Sequence, residues 1–175
     1  MNEITKEQEE QFFTFFDCLH KFMVKNAWYG ACHATTAMMY AFAKKIGIEA
    51  IPCIGECKQN NYPPFDHSWL LINDKIYDLA ISLPFVTSMA LRPVYKSIDS
   101  KTNKKVDMYY GISFLGLSGQ ASFIYNQDMY EYMYNCSELN LINLLIDISK
   151  NSKVYITRKW LEKNLSNNRF VLIAS

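Results

Sequence analysis

The chain carries almost no net charge and contains no long apolar run. Its 18 Lys and Arg residues are balanced by 17 Asp and Glu residues, which leaves a formal net charge of +1 over 175 residues. A near-neutral chain lacks the positive field with which many proteins hold a phosphate backbone, so we expect no nucleic-acid partner. No window approaches the apolar length that a bilayer-spanning helix needs, so we expect no membrane partner either.

The N-terminal segment lacks the features of a secretory signal. Residues 1–7 are polar and acidic, with no basic stretch followed by an apolar core. A signal peptide requires both of these features. We therefore expect a cytoplasmic protein.

Histidine is scarce, and the cysteines do not pair up by spacing. There are three histidines and an odd number of cysteines, namely Cys18, Cys32, Cys53, Cys57 and Cys136. Irregular spacing in a reducing compartment indicates free thiols rather than a disulfide framework. The spacing of Cys53 and Cys57 with His67 would permit zinc, but a second Cys/His pair is missing. We expect no metal and no cofactor, with Cys53 in the core and Cys57 at the surface.

The remaining composition is that of one folded domain. Half of the residues are apolar, which is enough for a substantial core in a chain of this length. Hydrophobic spacing, caps and turn residues predict the following elements: a helix over 5–24 with a capping box; a helix over 32–46 ending at Gly47; strands over 48–54, 67–72 and 75–79; a polar loop over 56–65; a hairpin of 94–98 with 106–112; partial helix over 128–148; a helix over 157–165; and a strand over 169–173. The fold class predicted is α+β, as a single domain over 1–175.

One cysteine stands at the start of a predicted helix. Gly30-Ala31 forms a tight turn that delivers Cys32 to the first helical turn. A helix N-terminus carries partial positive charge and free backbone N–H groups, which stabilise a thiolate. The same N–H groups favour an oxyanion, so the backbone N–H of Cys32 is a candidate oxyanion donor. We therefore regard Cys32 as a candidate nucleophile.

A histidine and an aspartate lie on the two strands of the hairpin that follows. If Asn73 and Asp74 are the two loop residues, Trp69 lies opposite Asp78. His67 then projects from the same face as Asp78, as its diagonal neighbour and within hydrogen-bonding reach. A three-residue loop would place the two on opposite faces. Such a pair suits a cysteine nucleophile, because the histidine takes the thiol proton and the carboxylate orients the ring.

These segments together resemble a known superfamily. Gly30-Ala31-Cys32 at a helix start resembles the nucleophile segment of papain-like cysteine peptidases, although Tyr29 and His33 depart from papain on either side. The order and spacing of four segments are similar to those of the transglutaminase-like branch, which also includes arylamine N-acetyltransferases and small bacterial cysteine proteases. The four segments are Gly30-x-Cys32, Gly47-Ile48, His67-Ser68-Trp69 and Tyr77-Asp78-Leu79. The resemblance covers about residues 26–82. It implies a papain-like core in which a central helix bearing the cysteine packs on an antiparallel sheet, with 83–175 completing the sheet and the helical cover.

The resemblance also implies roles for individual residues. Cys32 would be the nucleophile, His67 the general base and acid, and Asp78 the residue that orients His67. Asn26 stands where the peptidases have their oxyanion-hole glutamine, six residues before the nucleophile, and Trp28 is the alternative donor. We expect Trp28 and Trp69 to line the substrate site.

His33 is the other histidine close to the nucleophile in sequence. As the helical neighbour of Cys32 it should project about 100° away from the thiol. We therefore expect His33 to be a packed or hydrogen-bonded residue, and a worse base than His67.

The implied activity is acyl chemistry through a thioester. We expect a thiol-dependent hydrolase of a peptide or amide bond, acting on a peptide, a protein or a small amide. One alternative is a transglutaminase or amide-forming acyltransferase on the same fold. The other is a catalytically inactive papain-like fold that acts as a protein-binding module.

Overall fold

The helix that begins at Cys32 is the element on which the other parts of the chain pack. In the computed structural model, which describes residues 3–136 and 139–174, 11 of the 14 residues of this helix are buried. The helices are α1 (Lys6–Lys25), α2 (Cys32–Lys45), α3 (Gly119–Asn126), α4 (Met129–Asn135), α5 (Leu141–Ser149) and α6 (Arg158–Leu165). The strands are β1 (Ile51–Lys58), β2 (Phe65–Ile72), β3 (Lys75–Tyr77), β4 (Val94–Tyr95), β5 (Ile98–Asp99), β6 (Tyr109–Ile112) and β7 (Val171–Leu172). The predicted α+β class is confirmed.

The first helix forms where the capping residues predict it. Thr5 accepts a hydrogen bond from the backbone N–H of Gln8, and the Gln8 side chain accepts one from the backbone of Thr5. The amide nitrogen of Gln8 also donates to the Ile46 carbonyl oxygen at 2.8 Å, which ties the start of α1 to the end of α2. Phe15 of α1 stacks on Phe42 of α2 with ring centroids 4.1 Å apart. The two helices therefore share one core.

Helix α2 is buried nearly all round and ends at a glycine. Its small residues allow neighbouring elements to approach closely on several sides, as expected of a helix without a polar face. Gly47 has φ +77°, donates to the Lys44 carbonyl, and is followed by an Ile48 N–H bond to the Ala43 carbonyl. This is the Schellman pattern, in which a left-handed residue closes the last helical turn. The predicted end of α2 at Gly47 is confirmed.

Five strands form the sheet that carries the candidate site. The order is β3-β2-β1-β6, all antiparallel, and the short β7 adds a parallel pairing to β1. Strands β2 and β3 pair Ile72 with Lys75 and Leu70 with Tyr77, which is the register predicted from a two-residue Asn73-Asp74 turn. Both turn residues have positive φ, as such a hairpin requires. Helix α2 packs on β1 and β2.

Three predictions in this region are wrong. Strand β1 covers Ile51–Lys58 rather than 48–54, and Cys57, expected at the surface, is fully buried. The sequence predicts a loop from residue 56 because Glu56 and Lys58 interrupt the apolar pattern, and residues 59–64 do form the loop between β1 and β2. Strand β6 pairs with β1, whereas β4 pairs with β5. The predicted hairpin of 94–98 with 106–112 does not form, because the partner of 109–112 lies about fifty residues earlier in the chain.

The C-terminal half supplies helices around α2. Helix α3 is not among the elements that the sequence predicts; the Ser118 side chain caps its first turn. The predicted partial helix over 128–148 is two helices, α4 and α5, and residues 137–138 of that prediction lie outside the described residues. The predicted helix over 157–165 is confirmed as α6, with Thr157 as its cap. Within the described residues no helix has the length and apolar character to cross a membrane.

A buried carboxylate anchors the loop that leads into α3. Glu56, 5% exposed, accepts hydrogen bonds from the consecutive backbone N–H groups of Phe114, Leu115 and Gly116 at 2.8–2.9 Å. An ionised carboxylate is the strongest acceptor the chain can offer to such N–H groups. The polar residue that breaks the apolar pattern of β1 therefore holds the segment that places α3.

We predict that Glu56→Gln loosens this loop selectively. The amide would offer one acceptor oxygen instead of two and would point its own N–H groups at the loop. Hydrogen exchange at the amides of residues 114–116 should accelerate on the order of tenfold, with a lower Tm. Glu49→Gln, at an exposed position outside the sheet, is the matched control. Equal exchange at 114–116 in both variants would contradict the anchoring role.

Candidate active site

Backbone hydrogen bonds join the turn before α2 to the end of α1 and to the segment after β3. Trp28 N–H donates to the Met23 carbonyl at the end of α1, and Gly30 N–H donates to the Leu83 carbonyl at 2.8 Å. Gly30 has φ +66°, and a Cβ there would lie 2.1 Å from the ring of Phe85. Both the backbone conformation and the close aromatic ring therefore require glycine. This turn joins the start of α2 to the segment that follows β3.

Cys32 opens α2 at the wall of a cavity. The cavity has a volume of about 540 Å³, and Cys32, His33 and His67 all line it. Its apolar walls come from both halves of the chain: Trp28, Phe65, Ile81, Phe85, Phe123 and Ile124. Among the described residues that line it, none is Lys or Arg, and Asp66 is the one carboxylate. The thiol thus faces a mostly apolar space that can hold a small molecule or a side chain.

His67 and Asp78 meet in the geometry that the hairpin register predicts. His67 Nε2 lies 2.7 Å from Asp78 Oδ2, and the two residues are 5% and 1% exposed. Because Nε2 is used by Asp78, Nδ1 is the ring nitrogen available to the Cys32 thiol. An imidazole that donates Nε2–H to a carboxylate has its lone pair on Nδ1, which is the tautomer a base needs.

Two further groups hold the carboxylate, and neither is predicted from the sequence. The hydroxyl of Tyr110, on β6, donates to Asp78 Oδ2 at 2.9 Å, and the backbone N–H of Ile81 donates to Oδ1 at 3.2 Å. The backbone of Asp78 forms two hydrogen bonds with Val94. A buried carboxylate is tolerated when its lone pairs are satisfied in this way. Burial, followed by the charge of Asp78, raises the pKa of Tyr110 well above its ordinary value, so the hydroxyl stays a donor.

The electrostatics favour an ion pair between the thiol and the imidazole. Burial alone would raise the pKa of Cys32, but the charge and hydrogen bonding of His33 and His67 lower it well below the ordinary value. Burial alone would lower the pKa of His67, but Asp78, with a contribution from Cys32, raises it to about 10. Between the two pKa values the thiolate and the imidazolium coexist.

His33 lines the same cavity as Cys32 and bonds a residue of β2. Its Nδ1 is 2.7 Å from the hydroxyl of Ser68, a fully buried residue of β2, and its ring packs edge-on against Phe170. The expectation of a hydrogen-bonded residue is confirmed. His33 also contributes, with His67, to the lowering of the Cys32 pKa, and it lines the same cavity as the thiol.

The predicted accessory residues have mixed outcomes. Trp28 lines the cavity as expected. Asn26 does not reach it: the residue is exposed, and its amide nitrogen donates to the Phe22 carbonyl at the end of α1. Trp69 does not line the cavity either, because it is 1% exposed and packs on Tyr110 in the core on that face of the sheet. Asn26 as oxyanion donor and Trp69 as substrate contact are therefore corrected.

The first turn of α2 remains open toward the cavity. Of the six α-helices in the described residues, five have a side-chain cap and α2 has none, since Ala31 is its N-cap residue. Uncapped N–H groups at a helix start attract negative charge. The backbone N–H of Cys32 belongs to this uncapped first turn, at the wall of the cavity.

Cys53 and Cys57, the two cysteines whose spacing would permit zinc, lie in strand β1. Burial raises the pKa of Cys53 to about 12 and that of Cys57 well above its ordinary value. Both therefore remain protonated thiols at neutral pH. In residues 3–136 and 139–174, no cluster of three or more His, Cys, Asp or Glu side chains is arranged to hold a metal ion.

Comparisons with known proteins found no matching protein-family model, no matching curated protein and no matching solved structure.

We predict that Tyr110→Phe destabilises the fold through Asp78. The substitution removes one hydrogen bond to a buried carboxylate and should lower the free energy of unfolding by about 1.5 to 3 kcal/mol. Tyr109→Phe, one position earlier and 58% exposed, should change it by less than about 0.5 kcal/mol. Urea denaturation of both variants measures the difference. Equal values for the two would contradict the role of Tyr110.

Proposed function

We propose that the protein is a thiol-dependent hydrolase of a peptide or amide bond, with Cys32 as nucleophile, His67 as general base and acid, and Asp78 as the residue that orients His67. The observation that carries the proposal is the buried 2.7 Å contact of His67 with Asp78 beside a cysteine at an uncapped helix start. In this proposal residues 26–82 form a papain-like core of the transglutaminase-like type, with an antiparallel sheet beside the helix that bears the cysteine.

The proposed reaction begins with a negative charge on the Cys32 sulfur and a proton on His67. The Cys32 thiolate attacks the carbonyl carbon, and the carbonyl electron pair moves onto oxygen. The backbone N–H of Cys32 donates to that oxyanion. As the intermediate collapses, the His67 imidazolium gives its proton to the leaving amine and a thioester remains on Cys32. Water then gives a proton to His67 and attacks the thioester, which releases the acid and restores the thiolate.

The cavity favours an uncharged acyl group. No Lys or Arg among the described lining residues could neutralise a substrate carboxylate next to the thiol. Phe85 and Phe123 line the cavity and are 82% and 65% exposed, so apolar surface continues from the thiol to the solvent. Apolar groups of a substrate would bury this surface.

An amide-forming acyltransferase is the second candidate on the same thioester. The apolar rim of Phe85 and Phe123 favours it, because an apolar amine that binds there would compete with water. The thioester would then transfer its acyl group to the amine, and the surplus proton would pass to His67. The two candidates differ only in the second step.

We predict that an activated, uncharged ester acylates Cys32. Incubation with a p-nitrophenyl ester should release p-nitrophenolate in a burst and leave a thioester on Cys32 that peptide mass spectrometry locates. Hydrolysis to the acid in the presence of excess amine supports the hydrolase, and amide product supports the transferase. Cys32→Ser is the control. A wild-type protein that releases no more p-nitrophenolate than Cys32→Ser and carries no acyl group on Cys32 would contradict both candidates and leave the binding-module alternative.

We also predict a distinctive pH dependence of Cys32 alkylation. Because the pKa of Cys32 is lowered, its thiolate persists as the pH falls below the range where ordinary thiols ionise. Iodoacetamide at about pH 6 should label Cys32 on the order of tenfold faster than Cys18 and Cys136, the partly exposed thiols.

The variant that tests the cause of this reactivity is His67→Ala. Without the imidazolium, burial raises the thiol pKa, so labelling at about pH 6 should slow on the order of tenfold or more. His20→Ala is the matched control, because His20 bonds Ser82 and does not line the cavity. Unchanged labelling in His67→Ala would remove His67 from the proposed role.

A further inference from the structure

We propose that His33 is a further catalytic residue of this site, whose Nε2–H donates to the oxyanion of the tetrahedral intermediate, and that Ser68 is the positioning residue that fixes its tautomer. This inference rests on the proposed acyl chemistry. It supplies the second oxyanion donor that Asn26, held on the Phe22 carbonyl, does not provide.

His33 lines the same cavity as Cys32 and His67. His67 and Ser68 are consecutive residues of β2, so their side chains leave opposite faces of the strand. One bonds Asp78 and the other bonds His33. Two imidazoles therefore lie at the start of α2. The Asp78 carboxylate orients that of His67, and the Ser68 hydroxyl orients that of His33.

The hydrogen bond between His33 and Ser68 determines the tautomer of His33. Ser68 is fully buried, and in the described residues His33 Nδ1 at 2.7 Å is the hydrogen-bond partner of its hydroxyl. If Nδ1–H donated to Ser68, the hydroxyl hydrogen would be buried without an acceptor, which is costly. The Ser68 hydroxyl therefore donates to Nδ1. A neutral His33 then carries its proton on Nε2, the nitrogen left for the thiol and the cavity.

The Nε2–H of a neutral His33 can donate first to the thiolate and then to a carbonyl oxygen. At rest it donates to the Cys32 thiolate, and a hydrogen bond from His33 is among the interactions that lower the pKa of the thiol. When sulfur attacks a carbonyl, its negative charge passes to an oxygen two bonds away. The same Nε2–H then donates to that oxygen, together with the Cys32 backbone N–H. The proton stays on His33 throughout, while His67 transfers protons to and from the leaving group and water. Two donors are the usual composition of an oxyanion hole.

The test compares two reactions of the same sulfur. Alkylation by iodoacetamide needs the thiolate but forms no oxyanion, whereas acylation by a p-nitrophenyl ester needs both. We expect His33→Ala to lower the ratio of acylation to alkylation rate constants at Cys32 on the order of 100-fold. His33→Gln, which keeps an N–H donor, should recover part of the ratio. Ser68→Ala should lower it less than His33→Ala, and His20→Ala should leave it unchanged.

The results for His33→Ala and Ser68→Ala distinguish an oxyanion donor from a residue that only stabilises the thiolate. A ratio that stays at the wild-type value in both His33→Ala and Ser68→Ala, with both rates falling together, would overturn the inference and leave His33 as a thiolate-stabilising residue. Circular dichroism confirms folding, and Ser68→Ala keeps the test decisive where His33→Ala does not fold. A wild-type protein whose Cys32 is alkylated rapidly but never acylated would overturn the proposed function, and the inference with it.

Discussion

The buried contact of His67 with Asp78 is the interaction on which the rest of the site depends. Removing an imidazole and a carboxylate from water is expensive, and the cost is acceptable only where each lone pair has a donor. Asp78 meets that condition through His67, Tyr110 and the backbone of Ile81. These partners come from β2, β6 and the turn after β3. The sheet must therefore be assembled before the histidine is correctly oriented.

The same requirement explains how the segments around the cysteine are connected. Gly30 bonds Leu83, so the start of α2 moves with the turn that follows Asp78. Glu56 holds the loop that leads into α3, and α3 forms the opposite wall of the cavity. The groups to which we assign the proposed reaction all come from the short range between Gly30 and Asp78. The later residues hold them in place and shape the space in front of the thiol.

The sequence predicts those parts of the site that short-range rules determine. Cys32 at a helix start and the His67–Asp78 register follow from a glycine turn and a two-residue hairpin, and the structure contains both. Tyr110 could not be found in this way, because β6 reaches Asp78 only by pairing with β1. The sequence predicts a loop at Glu56, which lies in β1, for a related reason. A charge within an apolar run indicates a loop unless its distant backbone partners are known.

The proposed function requires that Cys32 is a thiolate paired with an imidazolium at mildly acidic pH. The ultraviolet absorbance of the thiolate, taken as wild type minus Cys32→Ser while the pH is lowered, measures this directly. We predict that the difference signal persists well below the range in which ordinary thiols ionise, and that His67→Ala shifts its loss to higher pH. A signal that appears only in the alkaline range, with the same midpoint in His67→Ala, would contradict the account.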